Sequence, residues 1–191
     1  MSEDIVRLAE TLDTEDMIGF TKMFVDDLEK GQNAVNEELL PWLSKLRHKW
    51  TGVLFLGMGG SAAGGDFVSA LSDRSGIIPI RTHRGYSLPS WWNEDWLIVA
   101  TSYSGGTEET IAAVTKAADL GANIVVISSG GQLAGMCELY ERMYLISCPS
   151  GQPPRSAFGH IFARQLSLMV EIGILPNAIE ESSLMRLRDA I

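Results

Sequence analysis

The sequence predicts an α/β fold: a three-layer sandwich in which a five-stranded, mostly parallel sheet lies between helices. From Thr51 onward, short apolar runs alternate with segments of helical periodicity. The runs are apolar at consecutive positions, as expected for parallel strands that are buried on both faces. Glycine-containing corners separate most runs from the helical segments that follow. This alternation is typical of βαβ units with right-handed crossovers.

Residues 1–48 precede this alternation and are predicted to be helical. Asp13-Thr14 can cap a helix, with Glu15 and Asp16 in its first turn. An apolar stripe at helical spacing follows, formed by Met17, Phe20, Phe24 and Leu28. Because such stripes usually pack into a core, we expect 1–48 to pack on the 49–191 domain or on a dimer partner.

Five strands and the helices between them are predicted in the 49–191 domain. The strands are 53–56, 77–80, 97–100, 123–127 and 143–146. The helices are 62–71, one from Thr107 that Gly121 ends, a short one opened by Gly130-Gly131, one introduced by Pro153-Pro154, and a last one from about Asn177. Pro79 lacks the N–H that a central strand donates, so the second strand is expected at an edge of the sheet.

Composition argues against several classes of protein. The chain has 191 residues, 46% of them hydrophobic, which suits one globular domain. Its net charge is −9 and its 15 basic residues form no stripe, which argues against nucleic acid. The first residues, Met1-Ser2-Glu3-Asp4, are acidic and no apolar run follows them, so we expect no secretory signal, and no apolar run is long enough to cross a membrane. Cys137 and Cys148 have no metal-ligand spacing around them, so we expect a cytoplasmic protein with no metal.

The third strand runs into Thr101-Ser102-Tyr103-Ser104-Gly105-Gly106-Thr107, and a helix follows at once. Glycines let the backbone turn tightly, and a helix N-terminus offers N–H groups and a positive dipole end to an anion. The hydroxyls of Ser102, Ser104 and Thr107 can donate to phosphate oxygens. This stretch, the serine loop, predicts a phosphate cradle. The alternative is a capped turn whose hydroxyls bond only the backbone.

A second glycine-rich corner, 57–62, follows the first strand and fits the G-x-G-x-x-A form of a dinucleotide fingerprint. NAD is disfavoured because the second strand ends in Arg81-Thr82-His83-Arg84 rather than in an acidic residue. NADP stays open, since an arginine can meet its 2′-phosphate. A sugar phosphate accounts better for both corners, which follow the carboxyl ends of strands, where α/β sheets bind ligands.

Among the remaining candidate residues, Arg155 stands out. It lies at the predicted start of a helix, where a cation is unfavourable, so we expect a carboxylate or a ligand oxygen as its partner; the alternative is a surface side chain. Glu108 and Glu109 open the helix after the serine loop, where they interact favourably with its dipole. Three histidines are scattered without metal-ligand spacing: His48, His83 and His160.

Three motifs occur along the chain in a specific order. They are GMGGSAAGGD at 57–66, SYSGGTEET at 102–110 and PRSA at 154–157, with GGQL at 130–133 between the last two. Together they resemble the bifunctional phosphoglucose/phosphomannose isomerases of the sugar isomerase (SIS) superfamily. The resemblance implies a flavodoxin-like SIS domain, the N-terminal one of that family. One departure is Gly106, where the family usually has Asn.

The resemblance also implies roles for individual residues. Ser102, Ser104 and Thr107 would bind the substrate phosphate, Gly59, Gly60 and Ser61 would contact the sugar phosphate, and Arg155 would stabilise enediolate charge. The implied reaction converts glucose 6-phosphate or mannose 6-phosphate to fructose 6-phosphate through a cis-enediol. It needs a base and no cofactor.

Members of that family carry two SIS domains, and their glutamate base, ring-opening histidine and a lysine come from the second half. This sequence stops at Ile191, before those positions. We therefore expect one of two proteins. One is an isomerase that works as a homodimer or with a second SIS domain, for which Glu108, Glu109 and His160 are candidate bases. The other is a non-catalytic sugar-phosphate-binding module.

Overall fold

The computed structural model describes residues 3–32, 34–35, 39–46, 50–176 and 181–190. The strands are β1 Gly52–Gly57, β2 Ile80–His83, β3 Trp96–Thr101, β4 Ile124–Ser128 and β5 Met143–Ser147. The helices are α1 Glu3–Leu12, α2 Met17–Lys22, α3 Phe24–Gln32, α4 Leu39–Leu46, α5 Gly59–Ser75, α6 Glu108–Asp119, α7 Gly131–Leu139, α8 Phe158–Glu171 and α9 Glu181–Ala190.

The five strands form one sheet in the order β2-β1-β3-β4-β5, and every pairing is parallel. β1 and β4 are buried along their whole length, because helices cover both faces of the sheet. The predicted fold class is confirmed. Four of the five predicted strands also lie where expected, to within a residue at each end.

Side chains alternate between two cores, one on each face of the sheet. Val53 and Phe55 point into a core shared with α5 and α8, whereas Leu54 and Leu56 point into a core shared with α6 and α7. Burying one such side chain contributes about 1.5–3 kcal/mol. The strands are therefore held in place by packing on both faces, which fixes the points from which the loops at their ends begin.

The second strand differs from its prediction. The apolar run 77–80 predicts a strand, but β2 begins only at Ile80 and continues to His83. Ile77 is 75% exposed, and its N–H donates to the carbonyl of Ile174 rather than to a strand. The Pro79 carbonyl accepts from Val53 N at 3.0 Å, which makes proline the lead-in to the pairing. The edge position of β2 is confirmed.

The N-terminal helices pack on the domain through α3. Val25 and Leu28 form a small core with Ala163 of α8, and Ser167 Oγ of α8 donates to the carbonyl of Gln32 at 2.8 Å. Gly31 is close-packed here, because a Cβ at that position would overlap Ala163. The predicted boundary between 48 and 49 lies outside the described residues.

Helix ends depart from the predictions in informative ways. The Asp13 carboxylate caps α2, accepting from Met17 N at 2.7 Å and from Ile18 N at 2.8 Å, so Glu15 and Asp16 precede the helix rather than forming its first turn. α5 begins at Gly59 and runs to Ser75, well beyond the predicted 62–71. The predicted start of the last helix at Asn177 lies outside the described residues. None of the described helices is both long and apolar enough to cross a membrane.

Candidate active site

The two glycine-rich corners leave the sheet side by side. β1 and β3 are neighbours, and Gly57 at the end of β1 pairs with Thr101 at the end of β3. After β1 the chain passes through α5 to β2 on one side, while β3 lies on the other. The strand order reverses at this point, which is where open α/β sheets bind ligands.

A cleft of about 320 Å³ lies between the corners. Its lining brings together five residues predicted for the site, Gly60, Ser61, Ser104, Thr107 and Arg155, with three others, Met58, Tyr103 and Pro154. The volume is at the lower end of the range for small-molecule sites. Arg155 contributes the positive charge of the lining, and the other polar side chains there are neutral hydroxyls.

Two helices begin at this cleft. α5 starts at Gly59 and α6 starts at Glu108, and neither Met58 nor Thr107, the residues that precede them, caps its helix with a side-chain hydrogen bond. The first N–H groups of a helix have no intrahelical acceptor and carry the positive end of its dipole. An anion in the cleft can therefore be met by main-chain donors of both helices.

Ser61, in the 57–62 corner, contacts the serine loop. The N–H of Tyr103 in the serine loop points to Ser61 Oγ at 3.4 Å, across a separation of 42 residues. Ser61 and Ser104 thus lie at the same edge of the sheet and within one cleft, as the sugar-phosphate hypothesis requires.

Two predicted residues lie outside the lining. Ser102 is 1% exposed, and its hydroxyl pairs with Thr107 Oγ1 at 2.8 Å. It therefore sits behind Thr107 and orients that hydroxyl. Gly59 is exposed at the first position of α5 with φ +51°, beside the cleft rather than in its lining.

The corner after β4 holds the serine loop in shape. Gly105 has φ +67°, and a Cβ there would overlap the Gly130 carbonyl oxygen. Gly105 O also accepts from Leu133 N at 3.0 Å, and Tyr103 O accepts from Ser129 N at 2.9 Å. The predicted GGQL motif therefore has a physical role here, since its backbone fits directly against the loop that carries Ser104.

Tyr103 is a residue that the sequence analysis missed. It is 5% exposed, lines the cleft, and its hydroxyl donates to Pro149 O at 2.9 Å while accepting from Gln152 N at 3.1 Å. The available signal was its place between Ser102 and Ser104, because a large aromatic side chain in a loop of small residues indicates a specific packing or hydrogen-bonding role. That role is to hold the segment 149–152 beside the cleft.

Arg155 is exposed and lies in a turn three residues before α8, not at the helix start that the prolines predict. Within the described part of the chain its guanidinium makes no hydrogen bond or ion pair. The expected carboxylate partner is therefore absent from the described residues. The guanidinium lines the cleft with all five of its donors available to a ligand.

The candidate bases lie elsewhere. His160 is 2% exposed, and its Nε2 lies 3.1 Å from Asp27 Oδ1. Burial lowers the pKa of His160, and Arg164 lowers it further while Asp27 opposes the change. Glu108 and Glu109 occupy the first turn of α6 but do not line the cleft.

The other histidines and both cysteines were not predicted as site residues. His83 shares a hydrogen bond with Ser87 O at 2.7 Å, and His48 lies outside the described residues. Cys137 and Cys148 are both free, and burial raises the pKa of the first thiol to about 12 and of the second to about 11. Among the described residues, no cluster of His, Cys, Asp or Glu is arranged to hold a metal ion.

Comparison with known proteins places these features in context. No family model matches the chain. It is 38% identical over 123 residues to the bifunctional phosphoglucose/phosphomannose isomerase of Caldicellulosiruptor bescii, a match that covers 64% of this chain and 36% of that protein. It is 35% identical over 126 residues to the protein of the same name from Aquifex aeolicus, covering 63% and 38%.

Among solved structures, the tagatose-6-phosphate ketose/aldose isomerase from Escherichia coli shares the fold. The TM-score is 0.62 at 17% identity, over 91% of this chain and 49% of that one. The resemblance to the isomerases is therefore confirmed in sequence, and the SIS fold is confirmed in structure. The chain spans somewhat more than a third of the length of the two curated relatives.

Proposed function

We propose that the cleft binds a hexose 6-phosphate and that the protein is a sugar-phosphate aldose–ketose isomerase of the phosphoglucose/phosphomannose type. One observation carries the proposal. Ser61, Ser104 and Arg155 line a single cleft, in a chain whose curated relatives bear that isomerase name. The substrates would be glucose 6-phosphate or mannose 6-phosphate, and the product fructose 6-phosphate.

The phosphate would lie against the serine loop, where the hydroxyls of Ser104 and Thr107 line the cleft and α6 begins directly after Thr107. A hydrogen bond to a charged group contributes about 1.5–3 kcal/mol. Because the protein carries a net charge of −9, long-range attraction does not favour a phosphate, and these short-range donors must supply the affinity.

The sugar would extend from the phosphate toward Arg155. In an aldose–ketose conversion a base takes the proton from C2 of the aldose and returns it to C1, while a proton moves between the two oxygens. Negative charge develops on those oxygens in the enediolate. A guanidinium stays protonated throughout, and a donor aimed at developing charge is worth about 10²–10³ in rate. Arg155 would have this role, and the reaction needs no cofactor.

The base would come from outside the cleft lining described above. That lining contains no carboxylate and no imidazole, and His160 is buried against Asp27. We propose that a second SIS domain or a second copy of the chain supplies the group that moves the proton. The short span of this chain against its relatives supports that arrangement.

A cleft lining without a base among the described residues also favours a second candidate function, a non-catalytic module that binds a sugar phosphate. Isomerase assays with fructose 6-phosphate, combined with thermal unfolding, separate the two. A ligand at 100 times its Kd stabilises a protein by about 2.7 kcal/mol, which raises the Tm of a chain of this size by about 5–11 °C.

We expect hexose 6-phosphates to raise the Tm, and turnover to appear once the partner half is present. A rise in Tm without turnover in the presence of that half supports the binding module. A rise with NADP but not with hexose phosphates would overturn both proposals.

We also propose that 49–191 is the SIS domain and that 1–48 contributes to pairing with a second copy or a second SIS domain. An apolar groove on α1 and α2 supports this, since Leu8 and Leu12 are 61% and 70% exposed there. Light scattering of the chain and of a Leu8→Glu, Leu12→Glu variant tests this pairing, and we expect a lower molar mass in solution for the variant.

We place the protein in the cytoplasm, where free Cys137 and Cys148 stay reduced, with no role for nucleic acid or membrane.

A further inference from the structure

A buried polar chain leads from the N-terminal helices toward the cleft. Asp27 of α3 is fully buried, and the side chains of His160 and Gln152 lie beside its carboxylate. His160 Nε2 of α8 lies 3.1 Å from Oδ1, and Gln152 Nε2 donates to Oδ2 at 3.1 Å. Asp27 and Gln152 are 125 residues apart. A buried carboxylate is costly unless it is hydrogen-bonded. Among the described residues Asp27 Oδ1 accepts no hydrogen bond, so the bond from Gln152 to Oδ2 is the one that compensates for burial.

The main chain of the same glutamine is held by a separate contact. Gln152 N donates to the Tyr103 hydroxyl at 3.1 Å, and that hydroxyl donates to Pro149 O at 2.9 Å. The segment 149–152 is therefore fixed at two points, by Tyr103, which lines the cleft, and by Asp27 of α3. Gly151, between them, has φ +99°, a conformation that glycine adopts without strain and that lets the chain turn there.

Arg155 follows three residues after Gln152, with Pro153 and Pro154 between them. Two consecutive prolines have fixed φ angles, so they limit how far the backbone can turn between Gln152 and Arg155. The guanidinium itself has no anchor among the described residues, and its long side chain rotates freely. Its place at the cleft therefore depends on where the 149–155 backbone is held.

We propose that Asp27 is a positioning residue for Arg155, acting through Gln152. The N-terminal helix α3 would then do more than cover α8, since it sets the geometry of the guanidinium at the cleft. This inference rests on the proposed function in one respect, because the proposed function is what makes the position of Arg155 matter for binding a sugar phosphate.

The test variant is Gln152→Met, which removes the side-chain donor, keeps a similar length, and leaves the main-chain bond to Tyr103 and the His160–Asp27 pair intact. The matched control is Ser167→Ala, which removes a different hydrogen bond to α3, the one from α8 to Gln32 O at 2.8 Å. The control weakens the attachment of α3 to the domain without touching the 149–155 segment.

The first readout is the rate at which trypsin cuts the folded protein after Arg155, followed by mass spectrometry of the resulting peptides. This rate reports local opening of the segment and does not depend on any ligand. We expect at least a five-fold increase for Gln152→Met and less than two-fold for Ser167→Ala. Equal rates for wild type and Gln152→Met would overturn the inference.

The second readout is the Kd for fructose 6-phosphate in wild type, Gln152→Met, Arg155→Met and the double variant. If Gln152 acts through Arg155, Gln152→Met weakens binding three- to ten-fold in the wild type and less than 1.5-fold once Arg155 is gone. Equal weakening in both backgrounds would contradict positioning and assign a general structural role. If wild type binds no hexose phosphate, the proposed function fails, and trypsin cleavage alone decides the positioning claim.

Discussion

Replacing Gly105 by alanine should destabilise the protein by about 3 kcal/mol, because the serine loop and the Gly130 corner fit together without space for a methyl group. The left-handed backbone at Gly105 costs alanine about 1–2 kcal/mol. The new Cβ would also overlap the Gly130 carbonyl oxygen. This neighbour is main chain, so it cannot rotate away.

Separating the two loops breaks hydrogen bonds that join them, including Leu133 N to Gly105 O and Ser129 N to Tyr103 O. Each contributes about 1 kcal/mol. Alanine recovers about 0.4–1 kcal/mol by restricting the unfolded chain. The net loss of about 3 kcal/mol corresponds to a fall in Tm of about 6–12 °C for a chain of this length.

Urea unfolding followed by circular dichroism measures this change, and Gly60→Ala is the matched control. Gly60 lies in the other corner, where a Cβ meets no atom within 4 Å, so its free energy of unfolding should stay within about 1 kcal/mol of wild type. A Gly105→Ala protein as stable as Gly60→Ala would refute the argument, because the corner would then have room to relax.

Two further predictions concern buried groups. Burial lowers the pKa of His160 below its ordinary value of 6.5, so as the pH falls the imidazole is protonated in the unfolded chain before it is protonated in the folded protein. The stability that the neutral imidazole provides is therefore complete above pH 6.5 and is lost on acidification below it, by up to about 1.4 kcal/mol per pH unit. Urea unfolding at pH 7.5 and pH 5 should show a steeper loss for wild type than for His160→Gln, and parallel curves would contradict a neutral buried imidazole. Because burial raises the pKa of Cys137 to about 12 and of Cys148 to about 11, both thiols should react with a disulfide reagent at pH 8 at least ten-fold more slowly in the folded protein than in urea; equal rates would show that the thiols are accessible.

The positions of four strands along the chain and the edge of the sheet at which the site lies could be predicted because both follow from local patterns. Buried parallel strands have continuous apolar runs, and a corner after such a run must lie at a carboxyl end. The apolar run 77–80 misled because three hydrophobic residues around Pro79 look like a strand in isolation. The pairing with β1 decides which of these residues belong to the strand, and it begins at Ile80, which lies opposite Val53.

Contacts between distant segments could not be predicted in the same way. Ser102 and Ser104 look equivalent in the sequence, yet the end of β3 turns one inward to Thr107 and leaves the other in the cleft. The link from Tyr103 to Gln152 spans 49 residues, and that from Gln152 to Asp27 spans 125. No local periodicity records either pairing, so only the folded chain reveals how Arg155 is held.

The central claim is that one cleft grips a hexose phosphate with hydroxyls from both corners, and calorimetric titration with fructose 6-phosphate tests it most directly. Wild type should bind, and Ser104→Ala and Ser61→Ala should each weaken binding at least ten-fold, since each removes a hydrogen bond to a charged or strongly polar ligand worth about 1.5–3 kcal/mol. Ser75→Ala, at the far end of α5, should bind as wild type does. Undiminished affinity in both cleft variants, or no binding by wild type, would contradict the account.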